Sequence, residues 1–253
     1  VIADADAREL RSYASLEAYE SEVPVESRRH RVESALGIRI HRTVERSRSD
    51  AWTERVLAAS ADHSIAFGSQ ASLGIAWYTH LEEGRARAYF ERAAESDACV
   101  RRHVPGFQHA FLELVGRALG IALEARKGHA GPGIHVFAAH GPCARLGGEV
   151  HFDTEGLPPP YLKAHGPAYT AVLSLSAVPS GGGLRLWDLP YDGHEDPALA
   201  ELREPVVVAY EPGDLVLFES YRLHQIEPFG GDAARVSATC HVARLAGQWV
   251  AWF

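Results

Sequence analysis

Methionine is absent from the 253 residues, the first position included, which leaves room for residues ahead of Val1. Cysteine is scarce: Cys99, Cys143 and Cys240 stand far apart, with no C-x-x-C pair. An odd number of thiols without a pairing pattern argues against a disulfide framework and points to reduced cysteines in a cytoplasmic protein. No apolar run approaches the length of a membrane span. No secretory leader is expected either, because Asp4, Asp6, Arg8 and Glu9 stand where its apolar segment belongs. Positive charge is also short. Lys and Arg number 25 against 33 Asp and Glu, a formal net charge of −8. That balance argues against a general nucleic-acid binder, which needs a basic stripe. No internal repeat or low-complexity tract is present, and the composition is otherwise that of a soluble globular protein.

The length suits one domain with an elaborated cap. Residues 1–130 read as a mainly helical region. Leu10, Tyr13, Leu16 and Tyr19 recur at helical spacing, which predicts a helix over 4–19. The Arg-, Glu- and Ser-rich stretch 27–49 reads as a solvated face or connection, with Ile38 and Ile40 marking a short strand. A helix is predicted over 50–61 with Asp50 as its N-cap. Residues 69–80 read as a strand or buried segment, and 82–102 as a helix with Tyr89, Phe90 and Ala93 inward. A further helix is predicted over 107–127, its stripe of Phe111, Leu114, Val115, Ala118, Leu119 and Ala122 ending at Gly128. It would brace the outside of a barrel.

After Gly131-Pro132-Gly133 the pattern changes to short runs between turn residues. Eight strands are predicted, over 134–138, 148–153, 169–176, 184–188, 206–210, 214–220, 224–228 and 235–243. Eight strands in two facing sheets make a jelly roll. The fold class is therefore α+β, with a cupin-like core over 131–253 and the N-terminal helical region packed on it. Two long loops, 154–168 and 189–205, are candidate lids. Asp192, His194 and Asp196 in the second loop lack a strand-borne partner, which argues against a metal site there.

The chemistry lies in three places. On a strand, alternate side chains share a face, so His151 and Asp153 project together while Phe152 points away. His224, on a later strand, supplies a third ligand. Two imidazoles and one carboxylate on one face of a metal leave open positions, as in non-heme Fe(II) oxygenases. Arg235 adds a permanent cation, and Ser237 follows on the same strand face. A guanidinium fork with a neighbouring hydroxyl suits the distal carboxylate of a small diacid. Continued alternation carries Thr239 and His241 along that wall, and Glu149 onto the His151 face, as candidate substrate contacts. Cys240 falls on the opposite face as packing. Trp249 and Trp252 either close the pocket or pack outside it.

In these elements, His151-Phe152-Asp153, His224 and Arg235-Val236-Ser237, the sequence resembles the Fe(II)/2-oxoglutarate-dependent oxygenases over its C-terminal half. The segment Gly182-Gly183-Leu184-Arg185-Leu186-Trp187-Asp188 is also similar to one in small bacterial oxygenases of amino acids and natural products. The resemblance implies a double-stranded β-helix core. It implies Fe(II) on His151, Asp153 and His224, with 2-oxoglutarate chelating the metal, its far carboxylate on Arg235 and Ser237, and O2 as the third reactant. Succinate and carbon dioxide leave, and a C–H bond of a small polar metabolite, such as a free amino acid, is hydroxylated. The superfamily's halogenases have Gly or Ala in place of the carboxylate, so the retained Asp153 argues against halogenation. A homodimer is a further expectation. The competing reading is a cupin-like module that binds metal without turnover, though such a module has no use for Arg235.

Overall fold

The computed structural model describes residues 8–67, 69–194 and 196–253. Its strands are β1 Leu10–Tyr13, β2 Gly37–Ile40, β3 Ser64–Ala66, β4 Gln70–Leu73, β5 Glu124–Ala125, β6 Gly133–Phe137, β7 Ala168–Ser174, β8 Ser180–Gly181, β9 Leu184–Pro190, β10 Val206–Val208, β11 Leu215–Glu219, β12 Arg222–Ile226, β13 Phe229–Gly230, β14 Arg235–Leu245 and β15 Gln248–Trp252. Its α-helices are α1 Leu16–Glu22, α2 Arg28–Glu33, α3 Arg46–Ala58, α4 Trp77–Glu82, α5 Ala86–His103, α6 Phe107–Leu119, α7 Pro142–Leu146 and α8 Pro159–Lys163.

The main body is a mixed α/β structure around a large, mostly antiparallel sheet. Its strand order is β1-β2-β11-β7-β14-β6-β4-β3, with β15 on β14 and β5 on β15. Among the described residues only the β1–β2 and β15–β5 pairs are parallel. A smaller sheet, β10-β9-β12, lies apart from it in hydrogen bonding. The two sheets meet through side chains: Val172, Val216 and Phe218 of the large sheet pack with Leu184, Leu186 and Val208 of the small one.

Strand alternation decides which wall is which. On β14, Val236, Ala238, Cys240 and Val242 point to the helix side, into a cluster with Trp52, Phe107, Phe111, Leu114 and Val115. Arg235, Ser237 and His241 take the other face and are also buried. The sheet therefore has an apolar back sealed by helices and a polar front turned toward the small sheet. Phe107 and Phe111 are fully buried behind it, and truncating either to Ala would cost about 3–5 kcal/mol.

Several expectations change. Of the helix predicted over 4–19, positions 4–7 lie outside the described residues, and Leu10–Tyr13 is the edge strand β1, paired with β2. Helical spacing at Leu10 and Tyr13 was compatible with a four-residue strand, and the helix starts only after Ser15, whose hydroxyl accepts from the Ala18 N–H. Asp50 is not a cap. Helix α3 begins one turn earlier at Arg46, whose guanidinium pairs with Asp50 at 2.9 Å. Residues 69–80 split into β4 and the start of α4. Phe90 is 47% exposed rather than inward. Helix α6 stops at Gly120, eight residues short of Gly128, leaving Ala122 exposed. Gly120 has φ +68, and a Cβ there would sit 2.2 Å from the Val25 carbonyl oxygen, so glycine is required where the chain turns away. The region before residue 131 also supplies β1 to β5. Among the described residues no helix is long and apolar enough to cross a membrane.

Candidate metal centre and anion pocket

The strand predicted over 148–153 does not form. A single antiparallel bridge joins His151 to His224, each N–H donating to the other's carbonyl at 3.0 Å. This hydrogen-bonded pair sets the two imidazoles side by side, ring centroids 4.2 Å apart. Two residues on, the Asp153 N–H donates to the Ser220 carbonyl, which turns the carboxylate back toward the rings. His151 Nε2 lies 3.4 Å from Asp153 Oδ1 and His224 Nε2 lies 3.3 Å from Asp153 Oδ2.

The far side of each ring is occupied. His151 Nδ1 faces the Glu149 carbonyl and His224 Nδ1 the Arg222 carbonyl, both at 2.9 Å. A nitrogen facing a carbonyl must carry the hydrogen, so in the neutral rings both Nε2 atoms are lone pairs aimed at a carboxylate. Acceptors facing acceptors are stable only with a proton or a cation between them. All three donor atoms lie within 4.8 Å of one another. Backbone-oriented imidazoles beside a hydrogen-bonded carboxylate are the arrangement that holds a divalent transition metal. Thr170 Oγ1 donates to Asp153 Oδ2 at 2.6 Å and sits 3.0 Å from Ser220 Oγ.

The same geometry governs protonation in the metal-free site. Burial disfavours the His151 imidazolium, but the Asp153 carboxylate outweighs it and raises its pKa to about 9. Burial favours neutral Asp153, yet His224, His241 and His151 hold it well below the usual carboxylate range. His241 is pushed down by burial, with Asp153 opposing. His135 falls to about 3, driven by burial and then by Arg235 and His241.

Arg235 is 3% exposed. Its Nε donates to the Gly182 carbonyl at 2.8 Å and NH1 to Ser237 Oγ at 2.9 Å, and NH2 reaches the Tyr210 hydroxyl. Its guanidinium lies 5.4 Å from the Phe137 ring centroid and 5.5 Å from that of Tyr210. No carboxylate pairs with it among the described residues. A buried cation without an anion is costly, so this one is suited to an anion that arrives from solution.

Of the candidate substrate contacts, His241 places its Nδ1 3.8 Å from Asp153 Oδ2. Thr239 is half-buried between Gly133 and Val172 on the neighbouring strands. Glu149 is exposed and lines the cleft above the metal ligands. Trp252 packs by His241 at 5.9 Å, whereas Trp249 packs against Tyr169 on the other face. The cleft encloses about 620 Å³. Sequence reasoning missed Thr170 and Tyr210, and also Gln70 and Tyr78, which line the cleft with the Gln70 amide donating to the Tyr78 hydroxyl. Thr170 was reachable, being a polar in-facing position of an otherwise apolar strand. The others depend on loop and sheet placement that spacing does not encode.

No family model and no curated protein matches the sequence. Solved structures do. An N-substituted L-amino acid dioxygenase from Burkholderia ambifaria AMMD aligns over 90% of this chain and 90% of its own, with TM-score 0.58 and 16% identity. A 2OG-Fe(II) oxygenase family oxidoreductase from Burkholderia pseudomallei covers 96% and 98%, with TM-score 0.54 and 12% identity. The α-ketoglutarate-dependent carbocyclase SnoK of nogalamycin biosynthesis covers 92% and 89%, with TM-score 0.55 and 17% identity. This chain has their fold. The likeness spans nearly the whole of each chain.

Proposed function

We propose that the protein is an Fe(II)- and 2-oxoglutarate-dependent dioxygenase that hydroxylates an unactivated C–H bond of a small polar metabolite, such as an amino acid or natural-product intermediate. The observation that carries the reading is the buried, carboxylate-free Arg235 on the face of the large sheet turned toward the small sheet, whose strand β12 bears the metal-ligand candidate His224. A metal-binding module without turnover has no need of that cation. His151, Asp153 and His224 would hold the metal, and Arg235 with Ser237 and Tyr210 the distal carboxylate of 2-oxoglutarate. The metal with O2 supplies the oxidation, with release of succinate and carbon dioxide.

The chain's own residues do the rest. The Glu149 and Arg222 carbonyls fix the imidazole tautomers, Thr170 orients the carboxylate, and the apolar walls exclude water. With the metal bound, Asp153 would take the place a halide needs, so oxygen transfer is the expected outcome. Glu149, Thr239 and His241 are assigned to the substrate side. We further read the two facing sheets as a double-stranded β-helix over 131–253, braced by 1–130. Three free cysteines fit a cytoplasmic enzyme, and a homodimer is the assembly to test by light scattering.

The test is succinate formation by purified protein given Fe(II), 2-oxoglutarate and O2 without substrate. Slow succinate release that vanishes in His224→Ala supports the reading. Its absence in wild type, together with no calorimetric binding of 2-oxoglutarate to Zn(II)-loaded protein, would reject it.

A further inference from the structure

The walls of the cleft have a charge pattern that constrains the substrate. Glu82, Glu149, Glu155 and Asp196 line it above Asp153, and no Lys or Arg is among the described residues that line it. The carboxylates share one space with Tyr78. Burial is the main cause raising that phenol's pKa, and Asp153, Glu82 and Glu155 add to it. Between them lie apolar and aromatic surfaces: Phe67, Tyr78, Phe137, Val150, Leu223 and Ile226. Behind Asp153, His241 is 8% exposed, its Nδ1 3.8 Å from Asp153 Oδ2.

We propose that the substrate is an organic cation, an ammonium or guanidinium carried on a partly apolar body. The charge argument rests on the oxygenase reading. A bound dianion and Asp153 then balance a divalent metal and Arg235, leaving the floor without net charge, and the rim carboxylates set the potential a substrate meets. Carboxylates on low-dielectric walls concentrate cations and repel anions. The aromatic surfaces add cation–π attraction. An anionic substrate would need a cationic partner, and no Lys or Arg among the described residues lines the cleft. A simple amino acid fits only if its carboxylate points to solvent and its amino group or a basic side chain points in.

Calorimetric titration of phenethylamine, phenethylguanidine, phenethyl alcohol and phenylpropionate tests this, on protein loaded with Zn(II) and 2-oxoglutarate and on metal-free protein. The amine and the guanidine distinguish the two kinds of cation. At least one should bind about tenfold more tightly than the alcohol, with the acid weakest. The advantage should shrink between about 20 and about 300 mM salt. The exposed pair Glu82→Gln and Glu149→Gln should weaken the cation at least about threefold and leave the alcohol unchanged. The salt series stands if that variant misfolds. Equal or tighter binding of phenylpropionate, no difference between cation and alcohol, or no binding by any probe would overturn the proposal. Titration of 2-oxoglutarate into the Zn(II) protein separates the two readings. Its failure beside an intact cation preference rejects the oxygenase alone, and its success beside an acid preference rejects the cation site alone.

Discussion

Replacing Arg235 by Leu separates ligand binding from folding. In the free protein the side chain is buried, bonded to Gly182, Ser237 and Tyr210, and has no counter-charge. The variant loses hydrogen bonds to a charged group, worth about 1.5–3 kcal/mol each. It also escapes a desolvation penalty of several kcal/mol. These offset, and the free variant should stay within about 2 kcal/mol of wild type. Binding has no such compensation, because the incoming carboxylate is left buried and unpaired at a cost of about 2–5 kcal/mol. That weakens 2-oxoglutarate by about 30- to 5,000-fold. At a concentration of about 100 Kd the ligand should stabilise the Zn(II)-loaded wild type by about 2.7 kcal/mol, and the mildest case of the variant by only about 0.9 kcal/mol. Urea unfolding with and without 2-oxoglutarate reads both quantities. A variant that keeps 2-oxoglutarate affinity within about threefold of wild type would refute the assignment.

Three further outcomes are expected. His224→Ala removes one of three donors and should abolish tight divalent-metal binding by calorimetry. Wild-type affinity in that variant would mean the ligand set is wrong. Thr170→Val removes the hydrogen bond to Asp153 Oδ2 and should cost about 10- to 100-fold in metal affinity while the fold survives. His135, with its pKa lowered to about 3, gains its proton more readily unfolded than folded. Its contribution is therefore complete above about pH 6.5 and is lost as pH falls toward 3. Between pH 8 and pH 5 the protein should lose about 2 kcal/mol that His135→Leu does not lose, checked by urea unfolding at both pH values.

Much of the site was legible because it obeys a period of two. Arg235, Ser237 and His241 share one face of β14 and Cys240 packs on the other, as alternation requires. His151 and Asp153 also share a face, but for another reason. Their segment forms one bridge rather than a strand, and turns of the chain around that bridge aim the carboxylate. Short elements were the weak point. Four residues at Leu10–Tyr13 fit helical and extended spacing equally, and only pairing with β2 decides between them. Gly128 was the expected helix stop, but the close approach of the Val25 backbone ends the helix at Gly120, which no local spacing announces. Tyr210 reaches the site through a contact between segments far apart in sequence, which no local pattern records.

The reciprocal bridge between His151 and His224 also bears on how a metal would be lost. Either ring can swing away only by rotating its own side chain against the carbonyl that anchors it. Displacing either backbone breaks the bridge shared by both. Opening of this segment is therefore a single cooperative event in which the imidazole pair comes apart together. Release of a bound ion should follow the kinetics of that one local unfolding step rather than successive detachment of independent ligands.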